Sequence, residues 1–144
     1  MDLPEYISVD EVKRVCKALK IRDWTLLRKA EVRPEEAKTI LLELKIADMN
    51  IELKNFQLGL EVELEHGIRF TEANVTNNHP ILTGKIVIAH FKESLDYYQR
   101  LEVAEIEGDL LKAVAGKDPA KVVALYEKLV KAKLELSQSE SKMI

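Results

Sequence analysis

A fourteen-residue segment occurs twice in this chain, and that repeat limits what the N-terminal part can become. Residues 10–23 match residues 35–48 at six of fourteen positions, at an offset of 25. Asp10-Glu11-Val12-Lys13 stands against Glu35-Glu36-Ala37-Lys38, and Leu19-Lys20-Ile21-Arg22-Asp23 against Leu44-Lys45-Ile46-Ala47-Asp48. Each copy spaces its apolar residues by three and four: Val12, Val15, Cys16 and Leu19, then Ala37, Ile40, Leu41 and Leu44. That spacing marks one face of a helix. The chain is therefore expected to place two like helix-turn units side by side, over residues 9–21 and 33–44. Ser8 or Asp10 caps the first. Pro34 suits the first turn of the second, and Glu35 and Glu36 favour its positive end. Trp24 and Met49 occupy the same slot after each helix and are expected to plug the core.

The other reading of such a repeat is a helix-turn-helix on DNA. Neither helix gathers Lys and Arg on one face, and the chain carries a net charge of −3. A nucleic-acid footprint needs the opposite balance. Nucleic acid is not expected as a partner, and a nucleic-acid-associated adaptor stands as the last alternative.

Composition supports helices elsewhere. The 144 residues include 5 Gly and 4 Pro, with 33% charged and 47% hydrophobic. Few breakers and many charges argue against an all-β sandwich and against disorder. The expected fold class is all-α: a compact helical bundle with the repeated N-terminal helix-turn unit and a C-terminal amphipathic helix. Residues 1–116 form the core domain, and residues 117–144 form the C-terminal helix with a frayed tail from Ser137 on. Asp118-Pro119 states the start of that helix, and Val122, Leu125, Tyr126, Leu129 and Ala132 make its stripe. The stripe needs a cover, either the rest of the chain or a second subunit in a homo-oligomer.

Cys16, the single cysteine, lies in an apolar stripe and reads as a core side chain. The opening Met-Asp-Leu-Pro-Glu-Tyr lacks the basic and apolar regions of a signal peptide. No apolar run approaches the ~18 residues of a membrane span. A soluble cytoplasmic protein without a membrane partner is expected. Lys and Glu enrichment with one Cys is a pattern of heat-adapted proteins.

Residues 51–66 admit two readings. Leu58, Leu60, Val62 and Leu64 alternate with Gly59, Glu61, Glu63 and Glu65, as in a strand. Met49, Leu53, Phe56, Leu60 and Leu64 also fall on one helical stripe. A lone strand has no partner for its backbone, so the helix is expected, ending at Gly67. A polar connection follows to Thr83, which caps the next helix. That helix carries Ile86, His90 and Glu93 on one face and breaks near Ser94-Leu95-Asp96. His79 reads as a turn residue.

On these two helices Glu63-x-x-His66 and His90-x-x-Glu93 each place a carboxylate and an imidazole three residues apart. That spacing lets both converge on one ion. Two such half-sites facing each other would supply Glu63, His66, His90 and Glu93 to a divalent transition metal, Zn, Mn or Fe. Glu65, Tyr97 and Glu102, or Glu105, would support them from outside. The alternative is a non-catalytic interaction or oligomerisation module with these groups as a buried polar network. No nucleophile–base pair, phosphate loop or Cys–His zinc pattern is present, so no enzyme class is assigned.

The ordered motifs Gly59-x-x-Val62-Glu63-x-Glu65-His66-Gly67, Thr83-Gly84-Lys85-Ile86, Ala89-His90, Glu93 and Asp96-Tyr97-Tyr98-x-Arg100-Leu101 resemble a family of small uncharacterised proteins. It is a domain of unknown function found in bacteria, archaea and phage-type genomes, and the resemblance spans about residues 35–107. Its members often have two acidic residues where this chain has Asn78 and His79, and proline where it has Leu95. The resemblance implies no activity. It does favour a metal or polar site at Glu63, Glu65, His66, His90, Glu93 and Tyr97.

Overall fold

The computed structural model describes residues 6–142. The first five of the six residues that carry the expectation of no leader, and the last two of the tail, lie outside that range. Among the described residues the chain is all-α: α1 (Val9–Leu19), α2 (Pro34–Leu44), α3 (Leu53–Arg69), α4 (Pro80–Glu93), α5 (Tyr97–Ala115) and α6 (Pro119–Ser141). Two 3-10 turns, Trp24–Leu26 and Thr71–Ala73, punctuate the connections. The chain divides into two units, one running to Lys92 and one beginning at Glu93. Each is described by itself.

In the first unit the sequence repeat is a structural repeat. α1 and α2 are each 11 residues long, and their bounds differ by the repeat offset. Both end on a lysine in the left-handed region, Lys20 at φ 57° and Lys45 at φ 53°. Ser8 caps α1 by accepting from the Glu11 N–H at 3.2 Å. Val12, Cys16, Ala37 and Ile40 face a core that also takes Trp24, Phe56, Leu60, Leu64 and Val87. Trp24 fills its slot completely, whereas Met49 is only half-buried. Burial pushes the Cys16 thiol above its usual pKa, as a core cysteine requires.

One buried carboxylate fastens the repeat together. Glu36, in the first turn of α2, is 3% exposed. It accepts from the Arg22 guanidinium at 2.9 and 2.6 Å, from the Arg22 N–H at 3.1 Å and from the Arg33 N–H at 3.0 Å. Burial works to raise its pKa, but these four donors outweigh it and hold the carboxyl below the usual range. Arg22 reaches on to the Glu31 carbonyl at 2.7 Å.

α3 is a helix, as the missing strand partner requires. It carries Phe56, Gly59, Leu60 and Leu64 inward. Gln57 and Glu61 grip the segment before α2: the Gln57 amide donates to the Val32 carbonyl at 2.7 Å, and the Val32 N–H donates to Glu61 at 3.0 Å. The expected stop at Gly67 is not observed, because α3 runs on to Arg69. Gly67 serves a close approach instead. A Cβ there would lie 2.4 Å from Asn78 Oδ1 and 3.0 Å from Asn74. Gly84 does the same for α4, where a Cβ would lie 2.9 Å from Leu44 and 3.0 Å from Ile40.

α4 begins three residues earlier than expected, at Pro80. Thr83 is not its cap; its hydroxyl donates to the His79 carbonyl at 3.0 Å. His79 takes the capping role. Its Nδ1 accepts from the N–H groups of Ile81 and Leu82 at 3.2 and 3.3 Å, the work usually done by Ser or Asp. Asn77 and Asn78 set up the approach in the left-handed region, at φ 48° and 61°.

In the second unit α6 folds back on α5. The chain breaks at Ser94–Asp96 as expected. Asp96, fully buried, does not cap α5 with its side chain. It accepts from Ser94 Oγ and from Arg100 at 2.9 and 2.7 Å. Asp118 caps α6 through the Lys121 N–H at 3.0 Å. α6 runs on through Ser137 to Ser141.

Two outcomes follow. Removing the Glu36 carboxylate leaves Arg22 and two backbone donors unmatched, so Glu36→Ala should lower stability by about 3 kcal/mol in urea melts of the full chain. Burial lowers the His79 pKa below its usual value, and protonating Nδ1 would also remove the acceptor that caps α4. The unfolded chain takes that proton near pH ~6.5. His79 therefore contributes stability above about pH 6.5, and loses it as pH falls through the lower folded value. His79→Asn, which can cap without titrating, should flatten this part of the stability–pH curve.

Candidate functional site

The candidate site is built on one face of α3 and one face of α4. Glu63 lies on the flank of α3 between its buried stripe and solvent, with its side chain 14% exposed. His66, one turn later, is 57% exposed and holds Nδ1 3.8 Å from Glu63 Oε2. His90 of α4 is 28% exposed and holds Nε2 3.6 Å from Glu63 Oε1. Two imidazoles from different helices thus flank one carboxylate, each at its own oxygen. The helix periodicity of α3 makes the first contact. Docking of α4, with Val87 and Phe91 buried to either side of His90, makes the second.

Both distances exceed the 2.7–3.2 Å of a direct N–H···O bond. They are close to the separation of two donors on one ion: ligand atoms ~2.1 Å from a tetrahedral centre stand about 3.4 Å apart. Among the described residues, no three His, Cys, Asp or Glu side chains form a ready group around a single point.

The remaining expected residues are placed as follows. Glu93 is the last residue of α4 and the first of the second unit, and it is exposed. Glu65 pairs with Arg69 at 3.6 Å along α3. Tyr97 opens α5 and meets Tyr98 edge to face, with centroids 5.2 Å apart. Glu102, in the same helix, has its pKa raised by burial and then by the neighbouring Glu135 and Glu105 carboxylates. Tyr97 and Glu102 belong to the second unit.

A polar cleft of about 350 Å³ opens elsewhere in the first unit, between Thr25, Arg28, Gly67, Thr71, Asn74 and Asn78. None of Glu63, His66 and His90 lines it. The amides of Asn74 and Asn78 are bonded to each other at 2.9 Å, and Asn74 donates to the Gly67 carbonyl at 3.1 Å. The Asn-rich segment is thus pinned to the end of α3. Asn after Asn before a Pro was the available signal for such a turn, but its docking point at Gly67 is a tertiary fact.

No helix among the described residues is long and apolar enough to cross a membrane. Among the comparisons with known proteins, no curated protein and no solved structure matches the chain. A protein family does. It is described as a protein of unknown function, DUF5661, and the match covers residues 12–107. That range holds α1 from its first buried residue, the whole of α2 to α4 and the first half of α5, so it contains Glu63, His66 and His90 and leaves α6 outside. With two thirds of its length matched, the chain belongs to the DUF5661 family.

Proposed function

We propose that this chain is a divalent-metal-binding helical protein, with Glu63, His66 and His90 as its donors and Zn²⁺, Mn²⁺ or Fe²⁺ as the ion. The observation that carries the reading is the convergence of two imidazoles, from α3 and α4, on the Glu63 carboxylate at 3.8 and 3.6 Å. Two borderline nitrogen donors and one oxygen suit transition ions better than Mg²⁺ or Ca²⁺, which prefer oxygen throughout. The exposure of His66 puts the site at the surface, where water or a ligand can complete the coordination. An ion there would tie α3 to α4, so metal affinity becomes stability of the first unit.

The competing reading keeps the same residues as a hydrogen-bonded polar cluster in a non-catalytic interaction module. The two separate in one experiment. The purified protein is stripped with chelator, and its melting temperature is measured with each ion in turn. An ion at about a hundred times its Kd adds ~2.7 kcal/mol, roughly 5–10 °C for a domain of this size. His66→Ala and His90→Ala should remove that rise. A melting temperature unmoved by all three ions refutes metal binding. If the same variants are then less stable with no dependence on metal, the polar cluster is the correct reading.

A further inference from the structure

The α5–α6 hairpin carries two apolar stripes on each helix. The first holds the pair together: Ile106, Leu110 and Ala113 on α5, and Val122, Leu125 and Leu129 on α6, spaced by four and three. The second is offset by one residue. It comprises Leu111 and Val114 on α5 with Val123, Tyr126 and Val130 on α6, and all five are more than half exposed.

These second stripes emerge on the same side of the hairpin. In antiparallel helices viewed from one end, residue numbers advance clockwise on one and anticlockwise on the other. An offset of one residue in the same sense therefore turns both stripes to the same face. The ion pairs between the helices mark this edge. Arg100 meets Glu140 at 2.9 Å, and Lys133 meets Glu107 at 2.8 Å. These rungs lie seven residues apart on each helix, and the next rung in the same register sets Val114 opposite Tyr126. The face thus has internally neutralised charges at one end and bare apolar side chains at the other.

We infer that this face is the contact between two copies of the chain, closing a four-helix bundle from two hairpins. Three features select a second copy. A hairpin of two helices leaves its own seam half open. Among the described residues of this unit, Tyr98, Ala113, Leu129 and Ala132 are its buried hydrophobic side chains, while Ile106, Leu110, Val122 and Leu125 remain half-buried. A second hairpin laid on the open side completes that core in the manner of a four-helix bundle. The area suffices: five side chains of this size present about 500 Å², so a pair buries roughly 1,000 Å², where specific interfaces begin. The charges permit it as well. Arg100, Glu140, Glu107 and Lys133 cancel in pairs, so identical faces meet without net repulsion about a two-fold axis. Glu102, Glu105 and Glu135 lie together on the hairpin, and burial followed by the two neighbouring carboxylates raises the Glu102 pKa. A face built on that cluster would repel its own copy.

Sedimentation and light scattering of the full chain at micromolar concentration, with and without chelator, test the inference. The expected mass is twice the 16.4 kDa of one chain, unchanged by chelator. The double variant Tyr126→Glu/Val130→Glu should return the mass of one chain with its helical circular dichroism intact. Val123→Lys reads the same face by a single change, should the double variant lose helicity. Lys128→Glu, on exposed α6 surface outside the stripe, should leave the doubled mass in place. A wild-type mass of one chain overturns the inference. So does a doubled mass that requires metal, or one that survives the changes at 123, 126 and 130.

Discussion

A carboxylate cannot be taken out of water without replacing every hydrogen bond it loses, and Glu36 shows how much structure that requirement can fix. Its four donors come from Arg22 and Arg33, on either side of the connection between α1 and α2. Satisfying them sets where that connection turns and where α2 begins. It also aims Arg22 at the Glu31 carbonyl. Val32, one residue on, is then held by Gln57 and Glu61 of α3. A single buried charge thereby positions α2 and the loop that α3 reads, and α3 carries Glu63. The chain from Glu36 to the candidate site is a series of hydrogen bonds rather than packing alone.

The repeat was legible in the residues because helix length and stop are local properties. Eleven residues, an apolar stripe and a lysine in the left-handed region recur at the same offset in sequence and in space. The helix over 51–66 was legible by elimination, since the strand pattern had no partner. Its end was misread. Gly67 has the residue type of a stop, yet it stays helical because Asn74 and Asn78 dock where a side chain would stand. That docking lies seven and eleven residues away, beyond any local pattern. The start of α4 was missed for a related reason: histidine is a rare cap, and Thr83 offered the common one. The neutral imidazole takes the role because burial disfavours its cation.

The pairing of Glu63 with His66 followed from helical spacing, and His90 of the facing half-site lies 3.6 Å from the same carboxylate. Glu93, three residues past His90, closes α4 at the boundary between the two units. The hairpin carries the converse lesson. The single stripe read on the C-terminal helix mixes two: Leu129 and Ala132 are buried, while Tyr126 is 60% exposed and belongs to the neighbouring stripe. That neighbouring stripe has meaning only once the antiparallel partner shows that α5 has one too.

The chain holds one tryptophan, Trp24, and it sits fully buried in the first unit. Its indole N–H has no acceptor among the described residues. Its fluorescence therefore reports the repeat and its core, while α5 and α6 contribute much of the helical signal and no indole. Heating or denaturant would be watched through two windows that need not move together. Coincident traces would mean that the two units unfold as one cooperative system, and separated traces would order their stabilities without any engineered label.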